Sequence, residues 1–136
     1  MYLKNNITGL QHIGLPVTNL QRSKLFYEQL GFHSVMHKTI PVARVEMMQL
    51  GNFILELYEL TEPQRSAIAQ RQDGHIDHIA LNVQDCQAAF QELRGAGFAT
   101  LEDEPIFLPF WEHGIRYFYI LGPDGERIEF CEVLAR

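Results

Sequence analysis

Two histidines and two glutamates stand at related places in this chain: His12 and Glu56 in its first half, His78 and Glu129 in its second. Neutral imidazole nitrogens with anionic carboxylate oxygens suit Zn, Ni, Co, Mn or Fe(II) better than Ca or Mg, which favour all-oxygen shells. A carboxylate in such company can also take a proton from carbon and return it. One histidine on a strand is weak evidence, because most are satisfied polar residues. Repetition is what lifts these four above that reading. A shift of 66 residues lays "HIGLPVTNLQRSKLFYEQLGF" on "HIALNVQDCQAAFQELRGAGF" with seven identities in 21 positions, and pairs His12 with His78. A shift of 73 lays "ILELYEL" on "RIEFCEV", pairing Glu56 with Glu129 and Glu59 with Glu132. The longer shift puts seven extra residues in the second copy, around "EDEPIFLPFWEHG". No local motif such as HExxH is present, so the inference rests on the internal duplication.

The elements that must position these residues follow from periodicity. "LQHIGLPV" and "IDHIALNV" alternate as strands covered on one face. Each is followed by a helix, the first capped by Asn19 and carrying a stripe of Leu25, Phe26 and Leu30, the second capped by Asp85 and running through Leu93. Gly31 and the "GAG" segment stop them. "VARVEMMQL", the turn "GN" and "FILELYEL" make a hairpin, matched by "IRYFYIL", "GPDGE" and "RIEFCEV". The architecture expected is α+β: one domain of two tandem βαβββ modules, about 8–62 and 74–135, with a polar linker at 61–74 that has room for a short helix. The sheet should be curved and mostly antiparallel, with a concave metal-binding cleft. Strand parity sets the faces. If Ile13, Leu15 and Val17 face a helix, His12 faces away; the same holds for His78 beside Ile79, Leu81 and Val83. Leu55 and Leu57 leave Glu56 on the uncovered face, as Ile128 and Phe130 leave Glu129. Cys131 shares the parity of Glu129. His33 and His37 read as surface residues, and His113 falls in the inserted segment, where Phe107, Phe110 and Trp111 could wall a pocket.

Whole-chain properties narrow the function classes. The chain has 136 residues, 46% of them hydrophobic and 21% charged, enough to bury a core without a structural metal or disulfide. A net charge of −6 with scattered Lys and Arg argues against nucleic acid as a partner. No apolar run approaches the ~20 residues of a membrane helix, and the N-terminus does not read as a signal peptide. Two cysteines without a CxxC suit reduced thiols, so a soluble cytoplasmic protein is expected.

The repeat, the His/Glu quartet and the ending "GPDGERIEF" resemble the vicinal-oxygen-chelate superfamily, from His12 to Val133. That superfamily includes glyoxalase I, methylmalonyl-CoA epimerase, extradiol dioxygenases, fosfomycin-resistance transferases and bleomycin-binding proteins. The glyoxalase I pattern of His, Glu, His and Glu corresponds here to His12, Glu56, His78 and Glu129. Dioxygenases and fosfomycin enzymes resemble a three-ligand version, His12, His78 and Glu129. The resemblance implies a metal-dependent lyase or isomerase that moves a proton through a metal-stabilised enediolate on a small α-hydroxycarbonyl or thiol-adduct substrate. Glu129 would carry the proton, and Glu56 would be the other carboxyl ligand and its partner in the exchange. Glyoxalase I has an Arg and an Asn for glutathione where this chain has Pro16 and Leu60, so lactoylglutathione itself is doubtful as substrate. In methylmalonyl-CoA epimerase an early-strand Glu acts; Ile40 aligns there, and Glu46 is the nearest substitute. The alternatives implied are an extradiol-type dioxygenase and a non-catalytic drug-binding protein. Members of the family also form homodimers whose metal sites take one module from each subunit, and that assembly is expected here.

Overall fold

The computed structural model describes residues 1–29, 31–121 and 127–135. In chain order the elements are β1 (Ile7–Pro16), α1 (Leu20–Gln29), β2 (His33–Ile40), β3 (Ala43–Leu50) and β4 (Phe53–Leu60). Then come α2 (Gln64–Ala69), β5 (His78–Val83), α3 (Cys86–Gly95), β6 (Ile106–Leu108), β7 (Ile115–Leu121) and β8 (Arg127–Val133). The short helix α2 falls inside the expected linker. The expected turn "GPDGE" and Leu30 of the helical stripe lie outside the described residues. No helix among the described residues is long and apolar enough to cross a membrane.

By its contacts the chain forms two compact units, His12–Asp77 and Met1–Gln11 together with His78–Arg136. In the first, β1 runs parallel to β4, and β4–β3 and β3–β2 are antiparallel. In the second, β5 runs parallel to β8, and β8–β7 and β7–β6 are antiparallel. The order is the same in both, as a duplication requires. The N-terminal strand residues pack with the later unit, where Gln84 N donates to Asn6 O (2.9 Å) and Asn82 Nδ2 donates to Leu10 O (3.4 Å).

Helices α1 and α3 start where side chains satisfy the free backbone N–H groups of the first turn. Asn19 Oδ1 accepts from Arg22 N (3.0 Å), and Asp85 Oδ1 accepts from Ala88 N (2.9 Å). A second cap comes from the last strand of the same unit. Leu20 N donates to Glu59 Oε1 and Cys86 N to Glu132 Oε1, both at 2.8 Å. Glu59 and Glu132, paired in the sequence repeat, therefore do the same job twice. Their carboxylates also oppose the positive end of the helix dipole.

The helix-side cores obey the expected parity. Ile13, Leu15 and Val17 pack with Leu20, Phe32, Met48, Leu55 and Leu57 in the first unit. Leu81, Val83, Ile128 and Phe130 pack with Ala89, Phe90, Leu93 and Phe118 in the second. Two expectations need correction. Leu25 and Phe26 are 51% and 54% exposed, because α1 turns Leu20 and Tyr27 toward the sheet and these two stand about a third of a turn away. Ile79 has core parity but lies at the start of β5, outside the cluster that α3 covers, and is also exposed.

Candidate functional site

On the face of the first unit opposite α1, Glu56 lies between Gly14 on β1 and Met47 on β3. Glycine leaves the carboxylate lateral space on β1. His12, two residues before Gly14, is 2% exposed, and its Nε2 lies 3.6 Å from Glu56 Oε1. That separation is too long for a hydrogen bond. It fits two ligands each about 2 Å from a shared ion. Around the pair this face carries Val45 opposite Tyr58 and Met36 opposite Met47, all but Tyr58 buried, with Gln49 and Lys38 farther out on the same face.

The second unit repeats the frame with different walls. Glu129 lies between Ala80 on β5 and Tyr119 on β7, so a small residue again flanks the carboxylate on the histidine's strand. His78 and Glu129 are each 4% exposed, on neighbouring strands and the same face. Tyr119 meets His78 edge-on, with ring centres 5.5 Å apart, and meets Tyr117 at 5.6 Å. Tyr117 lies opposite Cys131, which is also buried on the face of Glu129. Arg127 sits with its guanidinium carbon 4.4 Å from the centre of the Tyr119 ring. Neither Arg127 nor the two tyrosines were candidate site residues from sequence. The signal that could have found them was cross-strand register, which places 119 opposite 129.

Other sequence candidates fall elsewhere. Glu46 is no surface residue: it is 2% exposed and lies opposite Leu57, on the helix side of the sheet and away from Glu56. There it receives His37 Nδ1 at 2.8 Å, a short hydrogen bond from Ser34 Oγ, and Lys24 Nζ at 3.7 Å. Strand parity therefore removes Glu46 as a substitute catalytic acid on the Glu56 face. His113 pairs with exposed Glu112. Phe110 is buried, while Phe107 is exposed and lies where any side chain on Gly114 would have to go.

The sequence pattern of the Glyoxalase/Bleomycin resistance protein/Dioxygenase superfamily matches residues 9–130. The uncharacterized protein YwbC of Bacillus subtilis is 32% identical over 124 residues, 90% of this chain and 96% of that protein. Among solved structures, methylmalonyl-CoA epimerase from Mycobacterium tuberculosis superposes with a TM-score of 0.81 at 20% identity, over 95% of this chain and 90% of its own. A Streptomyces coelicolor methylmalonyl-CoA epimerase variant in complex with 2-nitronate-propionyl-CoA gives a TM-score of 0.80 at 24% identity, over 95% and 99%. At these identities the structural likeness speaks to the fold, two tandem modules of α+β type.

Proposed function

This chain belongs to the Glyoxalase/Bleomycin resistance protein/Dioxygenase superfamily, and on that premise we propose that it is a divalent-metal-dependent proton-transfer enzyme, a lyase or isomerase of glyoxalase I type. The observation that carries the reading is the duplicated half-site: a buried histidine and a glutamate on the face away from the helix, with Gly14 or Ala80 clearing space beside the carboxylate. The donor set of two imidazoles and two carboxylates suits Zn, Ni, Co, Mn or Fe(II). His12, Glu56, His78 and Glu129 are the proposed ligands. When bound, the metal would supply Lewis acidity toward a substrate carbonyl and its neighbouring oxygen.

The chain's own residues do the rest. Glu129 accepts the carbon-bound proton next to the carbonyl and returns it to the adjacent carbon or the opposite face, acting first as base and then as acid. Glu56 is its partner in that exchange. The burial of Glu129 keeps bulk water from competing for the proton, while Glu56 is partly exposed. The 2-nitronate ligand named for the Streptomyces coelicolor epimerase is a planar carbon acid anion beside a carbonyl, the kind of species such chemistry generates. A small α-hydroxycarbonyl compound or thiol adduct is the proposed substrate class, with glutathione disfavoured by Pro16 and Leu60.

Elemental analysis of gently purified protein is the direct test. The reading predicts close to stoichiometric uptake of a transition metal and metal-dependent exchange of substrate carbon-bound protons into D₂O. Less than about a tenth of an equivalent, with no uptake on addition, removes it.

We further propose a homodimer with shared sites, since closed two-fold assembly is common for small chains with free sheet edges. Mixing inactive His12→Ala and His78→Ala subunits checks this. In a shared-site dimer one site of the heterodimer carries both lesions and the other neither, so part of the activity returns. With sites inside single subunits, mixing restores nothing.

A further inference from the structure

We infer that Arg127 anchors a carboxylate carried by the substrate, on the side of the second His/Glu pair. The inference rests on the proton-transfer reading above and adds to it the charge of the substrate. Arg127 opens β8 two residues before Glu129, so their side chains leave one face of the strand about 7 Å apart. His78 is its lateral neighbour on β5. Its guanidinium lies over Tyr119, 4.4 Å from the ring centre, and Tyr119 in turn rests edge-on against His78 and opposite Glu129. His78, Tyr119 and Glu129 are buried while Arg127 is exposed, so a cation stands at the rim above a buried floor. Stacking on a ring engages the flat face of a guanidinium, and the fork of in-plane N–H donors has the geometry that matches a planar anion in bidentate fashion.

The duplication serves as an internal control. Arg127 and Tyr119 correspond in the first unit to Ile54 and Met47, in the same strand register around Glu56. A cation over an aromatic ring is therefore not something the module needs in order to fold. Among the described residues no other Lys or Arg stands on this face of β5, β7 or β8, because Arg116 has the opposite parity. In a chain of net charge −6, a carboxylate approaching Glu129 meets its compensating charge at Arg127. The chemistry recognised is an acid whose carboxylate lies a few bonds from the carbonyl that flanks the mobile proton.

The test uses two hydroxamates of matched length, succinate monohydroxamate with a carboxylate tail and uncharged butyrohydroxamate, titrated calorimetrically into zinc-loaded protein. Wild type should bind the carboxylate probe roughly tenfold or more tightly than the neutral one, as one charge-assisted bidentate contact gives. Arg127→Met should erase that preference while leaving neutral-probe affinity and zinc content unchanged, and Arg127→Lys should keep part of it. Equal binding of the two probes by wild type, or a preference that survives in Arg127→Met, overturns the anchor alone. Failure to take up zinc, or failure of butyrohydroxamate to bind zinc-loaded wild type, overturns the proton-transfer reading and the anchor with it.

Discussion

Beneath helix α3 in the second unit, Phe90 meets Phe118 edge-on with ring centres 5.2 Å apart. Beneath α1 in the first unit, the corresponding positions hold Lys24 and Glu46, an ion pair at 3.7 Å. The correspondence follows from register, since Glu46 lies opposite Leu57 as Phe118 lies opposite Phe130. One module thus fills its helix–sheet space with an edge-on pair of rings, reinforced by Phe118 stacked on Phe130 at 5.0 Å. The other uses a buried carboxylate held by Lys24, His37 and Ser34. The same backbone frame tolerates both because what it requires is volume and satisfied polar groups, and either solution provides them. The faces carrying the His/Glu pairs diverge as well, with Met47 and Ile54 in one unit where the other has Tyr119 and Arg127. Frame and glutamate are kept while the walls change, so the two copies present the same His/Glu pair in different side-chain surroundings.

The sharpest way to break the symmetry is at the carboxylates. Glu129→Gln should lower turnover on the order of 10²–10⁴-fold, the range a general acid–base contributes, with the fold intact by circular dichroism. Glu56→Gln should cost less turnover relative to its loss of metal. Equal effects from the two in D₂O exchange would show that the copies share the proton transfer evenly.

Helix burial should separate next. Phe90→Ala should lose about 3–5 kcal/mol in urea unfolding, whereas exposed Phe26→Ala should stay within about 0.5 kcal/mol. Comparable losses would mean that α1 is covered in solution, as by a partner subunit.

The ion pair gives a subtler contrast. Glu46→Leu alone should destabilise by about 1.5–3 kcal/mol, the range for hydrogen bonds to a charged group, since Ser34, His37 and Lys24 lose their common partner. The double change Lys24→Met with Glu46→Leu should recover most of that, within about 1 kcal/mol of wild type. Additive losses in the double variant would show that the carboxylate's bonds to His37 and Ser34 matter more than its charge pairing.

The smallest effect is alkaline. Cys86 opens α3 where Leu20 opens α1. Burial, helped by the nearby Glu132 charge, pushes its thiol from 9.0 up to about 12. The folded chain therefore keeps that proton to higher pH than the unfolded chain does. This contribution to stability is whole below pH 9.0 and is lost as pH rises from there toward about 12. Denaturant midpoints at pH 8 and pH 10.5 should diverge less in Cys86→Ala than in wild type.

The amino-acid sequence by itself determined the duplication, the order of strands and helices, and the two local caps, Asn19 and Asp85. It also determined which face His12, Glu56, His78 and Glu129 would take, because period-two alternation is a property of each strand alone. Only the tertiary structure decided what lies beside them. Lateral register set Tyr119 against Glu129, Arg127 over Tyr119, and Glu59 and Glu132 at helix starts 39 and 46 residues away in the chain. It also turned Glu46 into a buried network and left Leu25 and Phe26 outside. The physical reason is that side-chain direction is fixed by neighbouring backbone, whereas pairing across strands and the rotation of a helix on a sheet are fixed by packing between segments far apart in sequence.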